Sequence, residues 1–322
     1  MPVLPPWVSD PAGPVAREIV PLYWIMFGAA VVVLAIVDGA LIWSGIKFRE
    51  RPGVPAKQFH GHNLLELAWT VIPTIMVITF TVLSFQRLLI LNDVDTAAEM
   101  TIKVHARQWT FTFEYPKDYK GTSFVTSDGT PLESAQQLDI PVNTKVKLEI
   151  TSQDVIHSFW VPNLGGKKDA VPGRTTTMWL EADRPGDFKG QCFEFCGDGH
   201  ADMLITVTAH PKSQYAAWAQ QTLADHNRRS SPETTAGREL FKSLACAGCH
   251  TIQGLTGGKV GPELTHIASK ANIAGVLSPV NAENMRKWIN DPAASKPGTA
   301  MPKLGLDQGT IGKIVEFLLT QK

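Results

Sequence analysis

The sequence predicts a multidomain chain: a two-helix transmembrane hairpin, then an all-β domain, then an all-α domain. Three observations predict it. Two long apolar runs, Leu22 to Ile46 and Leu64 to Leu91, stand in the N-terminal third. Between Thr101 and Pro211, apolar residues alternate with polar ones, the period of half-buried strands. Towards the C-terminus, Cys246-Ala247-Gly248-Cys249-His250 lies between short helical patterns. A length of 322 residues also predicts more than one domain. The 30 basic and 30 acidic side chains leave no excess to neutralise phosphates, which argues against a nucleic-acid partner.

Residues 1–21 read as an extracytoplasmic segment. Met1 to Glu18 is Pro-rich and lacks the apolar core and small-residue cleavage site of a signal peptide. Residues 22–46 and 64–91 are each long enough to cross a hydrocarbon core of about 30 Å as a helix. The loop between them, 47–63, holds Lys47, Arg49, Arg51 and Lys57 against Glu50, whereas the outer flanks hold Arg17 and Arg87. This asymmetry puts the loop in the cytoplasm and both termini outside. Pro73 interrupts the second run, as membrane helices tolerate. Asp38 and Glu66 are carboxylates at membrane depth, where an acid is by default a functional candidate. Asp38 reads as a polar contact to a partner helix. Glu66 reads as an interfacial acid at a helix N-terminus, favoured there by ~0.3–1 kcal/mol.

The all-β domain is assigned to residues 96–212. Val146, Leu148 and Ile150 alternate, as do Thr176, Met178 and Leu180. Ile102 and Val104 are apolar at even positions, but Trp109, Phe111 and Phe113 at odd ones. A one-residue shift changes the sheet face, so a bulge or break is expected between Val104 and Trp109. Turn residues cluster between the runs, as in a sandwich or barrel.

Within this domain, Gln191 to Met203 reads C-x-E-x-C-x3-H-x2-M, with Cys192, Glu194, Cys196, His200 and Met203. His157 lies upstream in Asp154-Val155-Ile156-His157-Ser158-Phe159-Trp160. Cys and Met are soft ligands, and imidazole suits copper and zinc. A disulfide between Cys192 and Cys196 would leave His200 and Met203 unexplained, and structural zinc rarely uses Met. Two Cys, two His and one Met exceed the needs of one blue-copper ion. They suit two copper ions bridged by two thiolates.

Residues 213–236 read as a helix and a polar linker centred on Ser230-Ser231-Pro232. Residues 237–322 form the all-α domain. Its C-x-x-C-H motif attaches haem c through Cys246 and Cys249, with His250 as an axial ligand. Lys296-Pro297-Gly298-Thr299-Ala300-Met301-Pro302 offers Met301 as the opposite ligand, and His/Met ligation suits electron transfer. Met285, in a helical pattern, reads as core. All four cysteines of the chain are then used.

The Gln191–Met203 stretch and the His157 segment resemble the dinuclear copper (CuA) site of cytochrome c oxidase subunit II. The segment from Gly237 resembles a small class I cytochrome c. The resemblance implies a cupredoxin Greek-key barrel in which His157, Cys192, Cys196, His200 and Met203 are side-chain copper ligands. It implies a backbone carbonyl ligand at Glu194, whose side chain would bind Mg or Mn at the boundary with subunit I. Asp169 and Arg174 match a polar segment at that boundary. Glu66-Leu67-Ala68-Trp69-Thr70-Val71-Ile72-Pro73 is similar to the family's second helix, where the matching Glu lies at the mouth of a proton path. Trp109 matches the residue where electrons reach the copper site. Arg107, Thr110 and Phe111 depart from the family's usual residues there, which is expected if the docking surface has changed.

The resemblance implies the electron-accepting subunit of a terminal respiratory oxidase. Electrons would pass from a donor through haem c to CuA, and on to the haem–copper centre of subunit I, with proton pumping. Implied partners are subunit I, subunit III, membrane lipid, and a donor such as a c-type cytochrome or a quinol:cytochrome c reductase. The implied location is the bacterial cytoplasmic membrane, with both redox domains on the periplasmic side. A nitric oxide reductase subunit and a stand-alone membrane-anchored electron carrier are the alternatives. Intramembrane acids disfavour the carrier, since unpartnered carboxylates in lipid are costly. Charge adds one expectation. Asp93 to Lys212 holds 12 basic and 17 acidic residues, and Ser230 to Lys322 holds 10 and 7. Opposite signs favour encounter, and a short tether raises effective concentration to roughly millimolar. The haem domain is therefore expected to dock near Trp109.

Overall fold

The computed structural model describes residues 10–49, 52–53, 60–126, 129–227, 235–252, 254–265, 267–270 and 272–321. Glu50, Arg51 and Lys57 of the loop, the linker centre Ser230-Ser231-Pro232 and residues 1–9 lie outside the described residues.

Arg17–Asp93 form one unit, made of two helices. The first spans Pro14–Lys47 and starts about two turns before the apolar run. Pro14 opens it because its fixed φ suits a helix start and it has no N–H to leave unpaired. The second spans Asn63–Asn92, with Pro73 inside it. Both are long and apolar enough to cross a membrane, and the most apolar stretch of each is wholly unburied within this chain. Thr70, Thr74, Thr79 and Thr81 each donate a hydroxyl hydrogen bond to the carbonyl four residues back, at 2.7–2.9 Å. No water serves a hydroxyl in hydrocarbon, so this local pairing satisfies all four. Arg87 pairs with Glu18 at 2.6 Å, joining the end of the second helix to the start of the first.

Residues 10–16 belong with Val94 onward. There the strands are β1 (Met100–Arg107), β2 (Thr110–Glu114), β3 (Asp118–Tyr119), β4 (Thr122–Ser123), β5 (Glu133–Ala135), β6 (Gln137–Pro141), β7 (Val146–Ser152), β8 (His157–Val161), β9 (Gly165–Ala170), β10 (Thr176–Leu180), β11 (Gly186–Cys192) and β12 (Leu204–His210). One five-stranded sheet runs β10-β7-β1-β2-β5, the other β6-β12-β11-β8-β9. The pairs β1·β7 and β6·β12 are parallel among antiparallel neighbours, because the chain passes between sheets instead of meandering within one.

The phase change between Val104 and Trp109 is a hairpin. Arg107 pairs with Thr110, so Gln108 and Trp109 form the turn. Val104 faces Phe113 and Ala106 faces Phe111 across it, so both parities reach one core. Phe111 and Phe113 meet Phe159 of β8 edge-on at 5.7 and 6.2 Å. Ahead of the first helix, Ala12 N–H donates to Asn163 O, and Asp183 N–H donates to Ala12 O. Asp10 pairs with Arg184 at 2.6 Å. This strap is absent from any sequence pattern because its bonds are to distant backbone.

A helix over Lys212–Asn227 leaves the barrel, its Trp218 stacked on Tyr215 and His210. A helical domain follows with helices Thr235–Ser243, Cys246–Cys249, Ala282–Asn290, Pro292–Ser295 and Gln308–Leu318; it is not strictly the all-α domain expected, because Thr251–Ile252 and Thr256–Gly257 pair as a short hairpin. Phe241, Ile289, Ile311, Val315 and Phe317 build a core separate from that of the barrel. Its first and last helices touch at Gly237, where a Cβ would lie 2.0 Å from Lys313 O.

Candidate metal centre and haem site

The metal candidates gather at one end of the barrel. His157 opens β8 and Cys192 closes β11, and these strands pair at Cys192 and Phe159. The connection from Phe193 to Met203 returns to β12. Backbone bonds fix both of its ends: Cys192 N–H donates to Met203 O at 2.9 Å, and Phe193 N–H donates to Ser158 O at 3.0 Å.

Inside this loop the sulfurs of Cys192 and Cys196 lie 3.8 Å apart. That is far beyond a disulfide bond of about 2.05 Å, and two metal–sulfur bonds of ~2.3 Å to a shared ion span it. His157 Nδ1 is 4.0 Å from the Cys192 sulfur, and His200 Nδ1 is 3.5 Å from that of Cys196. Met203 Sδ is 3.9 Å from the Cys196 sulfur. The Glu194 carbonyl oxygen is 3.3 Å from the Cys192 sulfur, while the Glu194 side chain is exposed. The ligand atoms of His157, Cys192 and Cys196 all fall within 4.8 Å of one another. Each imidazole thus faces a different thiol.

Two further features fit a metal. His157 Nε2 is 2.8 Å from Asp154 Oδ1. A carboxylate accepts, so Nε2 carries the proton and the Nδ1 lone pair faces the sulfurs. The thiols also repel one another as anions. Burial raises Cys192, but hydrogen bonding to His157 and to the backbone at Glu194 and Ser158 outweighs it and brings the thiol to about 7. Burial and the charge of Cys192 push Cys196 up to about 12. Two thiolates at this spacing need cations between them, and a soft donor set of S, S, S, N and N selects copper.

Trp109 lies on this loop. Its Nε1–H donates to Cys196 O at 3.0 Å, and Gln108 Nε2 donates to the same oxygen at 2.7 Å. A Cβ on Gly199 would lie 2.5 Å from Trp109 Cδ2, so the ring rests directly on backbone.

In the all-α domain, Cys246 and Cys249 are free, half-buried thiols on one helical turn. His250 Nδ1 is 2.7 Å from Pro262 O. A carbonyl can only accept, so Nδ1 is protonated and Nε2 is left as a lone-pair donor. Burial lowers the pKa of His250 and keeps the ring neutral, as a haem ligand must be. Met301 is half-buried on an irregular segment, whereas Met285 packs in the apolar core of its helix.

Glu66 lies in the first turn of the second helix, where its Oε1 accepts from His62 N–H at 3.2 Å and His62 Nδ1 accepts from Leu65 N–H. Asp38 is exposed on the first helix, and Asp169 and Arg174 are exposed at the end of β9 and just beyond it. Sequence reading missed Asp154, Gln108 and Lys296. A carboxylate three residues before a ligand His was the available signal for Asp154. Lys296 gave none, since a lysine before Pro-Gly reads as a solvated loop charge.

The two redox domains touch at Trp109. Arg107 Nη1 donates to Val260 O at 2.8 Å, and Gly298 approaches the Trp109 ring. Comparison with known proteins follows the same division. The family described as cytochrome c oxidase subunit II, transmembrane domain, matches residues 7–87, and its periplasmic domain matches residues 100–210. Cytochrome c matches residues 234–322. Cytochrome c oxidase subunit 2 of Alkalihalophilus pseudofirmus is 38% identical over 301 residues, covering 91% of this chain and 84% of the relative. The chain belongs to the cytochrome c oxidase subunit II family. That of Bacillus sp. (strain PS3) is 33% identical over 291 residues, covering 84% of this chain and 76% of the relative. The crystal structure of the periplasmic domain of subunit II from Bradyrhizobium japonicum is 32% identical, with a TM-score of 0.33, over 38% of this chain and 93% of that one. As a subunit II with a cytochrome c domain, this chain is a membrane-anchored part of a haem–copper oxidase, and its domains imply copper and haem c.

Proposed function

We propose that this chain receives electrons for a terminal respiratory oxidase at its cytochrome c domain and delivers them through a dinuclear copper centre to subunit I. Copper and haem c, when bound, supply one-electron carriers, and the chain's own residues hold and orient them. His157, Cys192, Cys196, His200, Met203 and the Glu194 carbonyl hold the copper pair. Cys246, Cys249, His250 and Met301 hold the haem. Asp154 fixes the imidazole of His157, and the Pro262 carbonyl fixes that of His250. The exposed Glu194 carboxylate, beside Phe195 at 78% exposure, supports a Mg or Mn site facing subunit I. Subunit III and a donor such as a c-type cytochrome or a quinol:cytochrome c reductase complete the assembly. The loop charges support a bacterial inner-membrane location with both redox domains on the periplasmic side.

The carrying observation is the contact of the haem domain with Trp109, whose indole N–H is bonded to Cys196 O. Oxygen reduction and proton pumping belong to the partner subunit. Flash reduction of the haem in the assembled complex tests the reading. Copper reduction should be fast and independent of protein concentration; a rate that scales with concentration would refute it.

A further inference from the structure

We propose that Lys296 is a positioning residue that seats the haem domain on the copper loop, so that the two redox domains act as a fixed pair. The inference rests on the function proposed above. Lys296 belongs to the haem domain and is 3% exposed. Its ammonium donates to Trp109 O at 3.0 Å, Asp202 O at 3.0 Å and Ala274 O at 2.9 Å. An ammonium has three donors, and all three are used. Two of the acceptors lie on the barrel: one at the tip of the β1–β2 hairpin, one in the loop just before Met203. The third lies in the haem domain itself. One side chain thus ties together the hairpin, the copper loop and the segment that carries Met301.

The surroundings are shaped to the same end. Gly298, two residues on, has φ +77°, and a Cβ there would lie 2.8 Å from Trp109 Cη2 and 2.6 Å from Asp198 Cβ. On the other side of Lys296, a Cβ on Gly275 would lie 2.7 Å from Asp202 O, one of the carbonyls that the ammonium caps. Arg107 holds Val260 O from the barrel side. Both glycines mark places where the haem domain's backbone closely approaches the barrel, at the Trp109 ring and Asp198 side chain for Gly298 and at the Asp202 backbone for Gly275. A dock of this kind differs from charge-steered encounter. Its cation is buried and its acceptors are carbonyls, so salt does not screen it as it screens exposed ion pairs. The step that the dock serves moves one electron from ferrous haem to the oxidised copper pair, with no bond made or broken.

The test uses the full assembled complex with haem and copper contents verified. After flash reduction of the haem, the haem-to-copper rate of the unaltered protein should stay constant between about 0.02 and 0.5 M salt, a range that cuts the Debye length several-fold. Lys296→Met should slow that rate about tenfold or more, since small misplacements have large kinetic effects. It should also raise amide hydrogen exchange at Trp109 to Phe111 and at Thr299 to Met301. Gly298→Ala, which keeps the ammonium, should do the same and serves if Lys296→Met does not assemble. A salt-dependent rate in the unaltered protein would overturn the fixed dock. So would variants that keep both the rate and the exchange pattern. Failure of the underlying function looks different: the unaltered complex would then show no concentration-independent copper reduction at all.

Discussion

His157 can ligate only in the orientation that Asp154 sets, and Asp154 also accepts the Gln108 backbone N–H at 2.7 Å. Asp154→Ala should therefore weaken copper binding by about 10–100-fold, as loss of a ligand's outer partner typically does. Copper retained after dialysis against a graded chelator measures it, with Cys192 and Cys196 intact as the control that the loop survives. Glu66 allows a cleaner experiment than most acids. Gln can still accept from His62 N–H, so Glu66→Gln preserves the helix start while removing the carboxylate. Proton uptake linked to turnover should fall while assembly is unchanged; unaltered uptake would confine Glu66 to its capping role. At this scale the clustering of His157, Cys192 and Cys196 was legible, because soft donors crowded into a dozen residues, with a second His upstream, have few other uses. Asp154, Gln108 and Lys296 were not, because each acts through a backbone or ring atom that spacing does not encode.

Among the elements, the closing helix Gln308–Leu318 depends on its N-cap. Asp307 accepts from Gly309 N–H, Thr310 N–H and the Thr310 hydroxyl, and these bonds, the hydroxyl's first, hold its carboxyl below the ordinary value. Asp291 is held low by Lys303 and by Ala294 N–H. A carboxyl whose folded pKa is depressed stabilises the fold fully above its unfolded value, near about 3.9, and loses that contribution as pH falls through the folded one. Thermal unfolding of the haem domain should therefore be flat near neutrality and weaken below about pH 4. Asp307→Ala should lower the midpoint at pH 7 and reduce the acid sensitivity. A pH profile parallel to that of the unaltered chain would contradict this. The strands β1, β2, β7 and β10, both membrane helices and the haem-binding turn were legible because each has its own period or motif. The β1–β2 hairpin was legible only as a phase change: parity shows that the chain switches face and does not say whether it bulges or reverses. The helix start at Pro14 was hidden because its first two turns are less apolar than the run that follows.

For the molecule as a whole, the barrel and the haem domain have core clusters with no shared members among the described residues, so the barrel should fold without the haem domain. A chain ending after Asn227 should keep the barrel and its copper, judged by metal content and copper absorption. It should also change kinetic order. Without the tethered haem, copper reduction should rise in proportion to the concentration of an added soluble cytochrome c. A reduction rate indifferent to that concentration would mean that Trp109 is not the site of arrival. The charge difference between the domains and a contact near Trp109 were legible, but Lys296 as the residue that holds it was not, since a buried lysine between carbonyls leaves no trace in net charge.

The meeting of Gly237 with Lys313 has a topological consequence. The haem domain's opening and closing helices lie side by side, so the first and last helical turns of the domain share one face. Such a unit behaves as a pendant. No part of the host has to be threaded through it. How the pendant sits is then left to the few residues at the face where it meets its host, Lys296 and Gly298 among them.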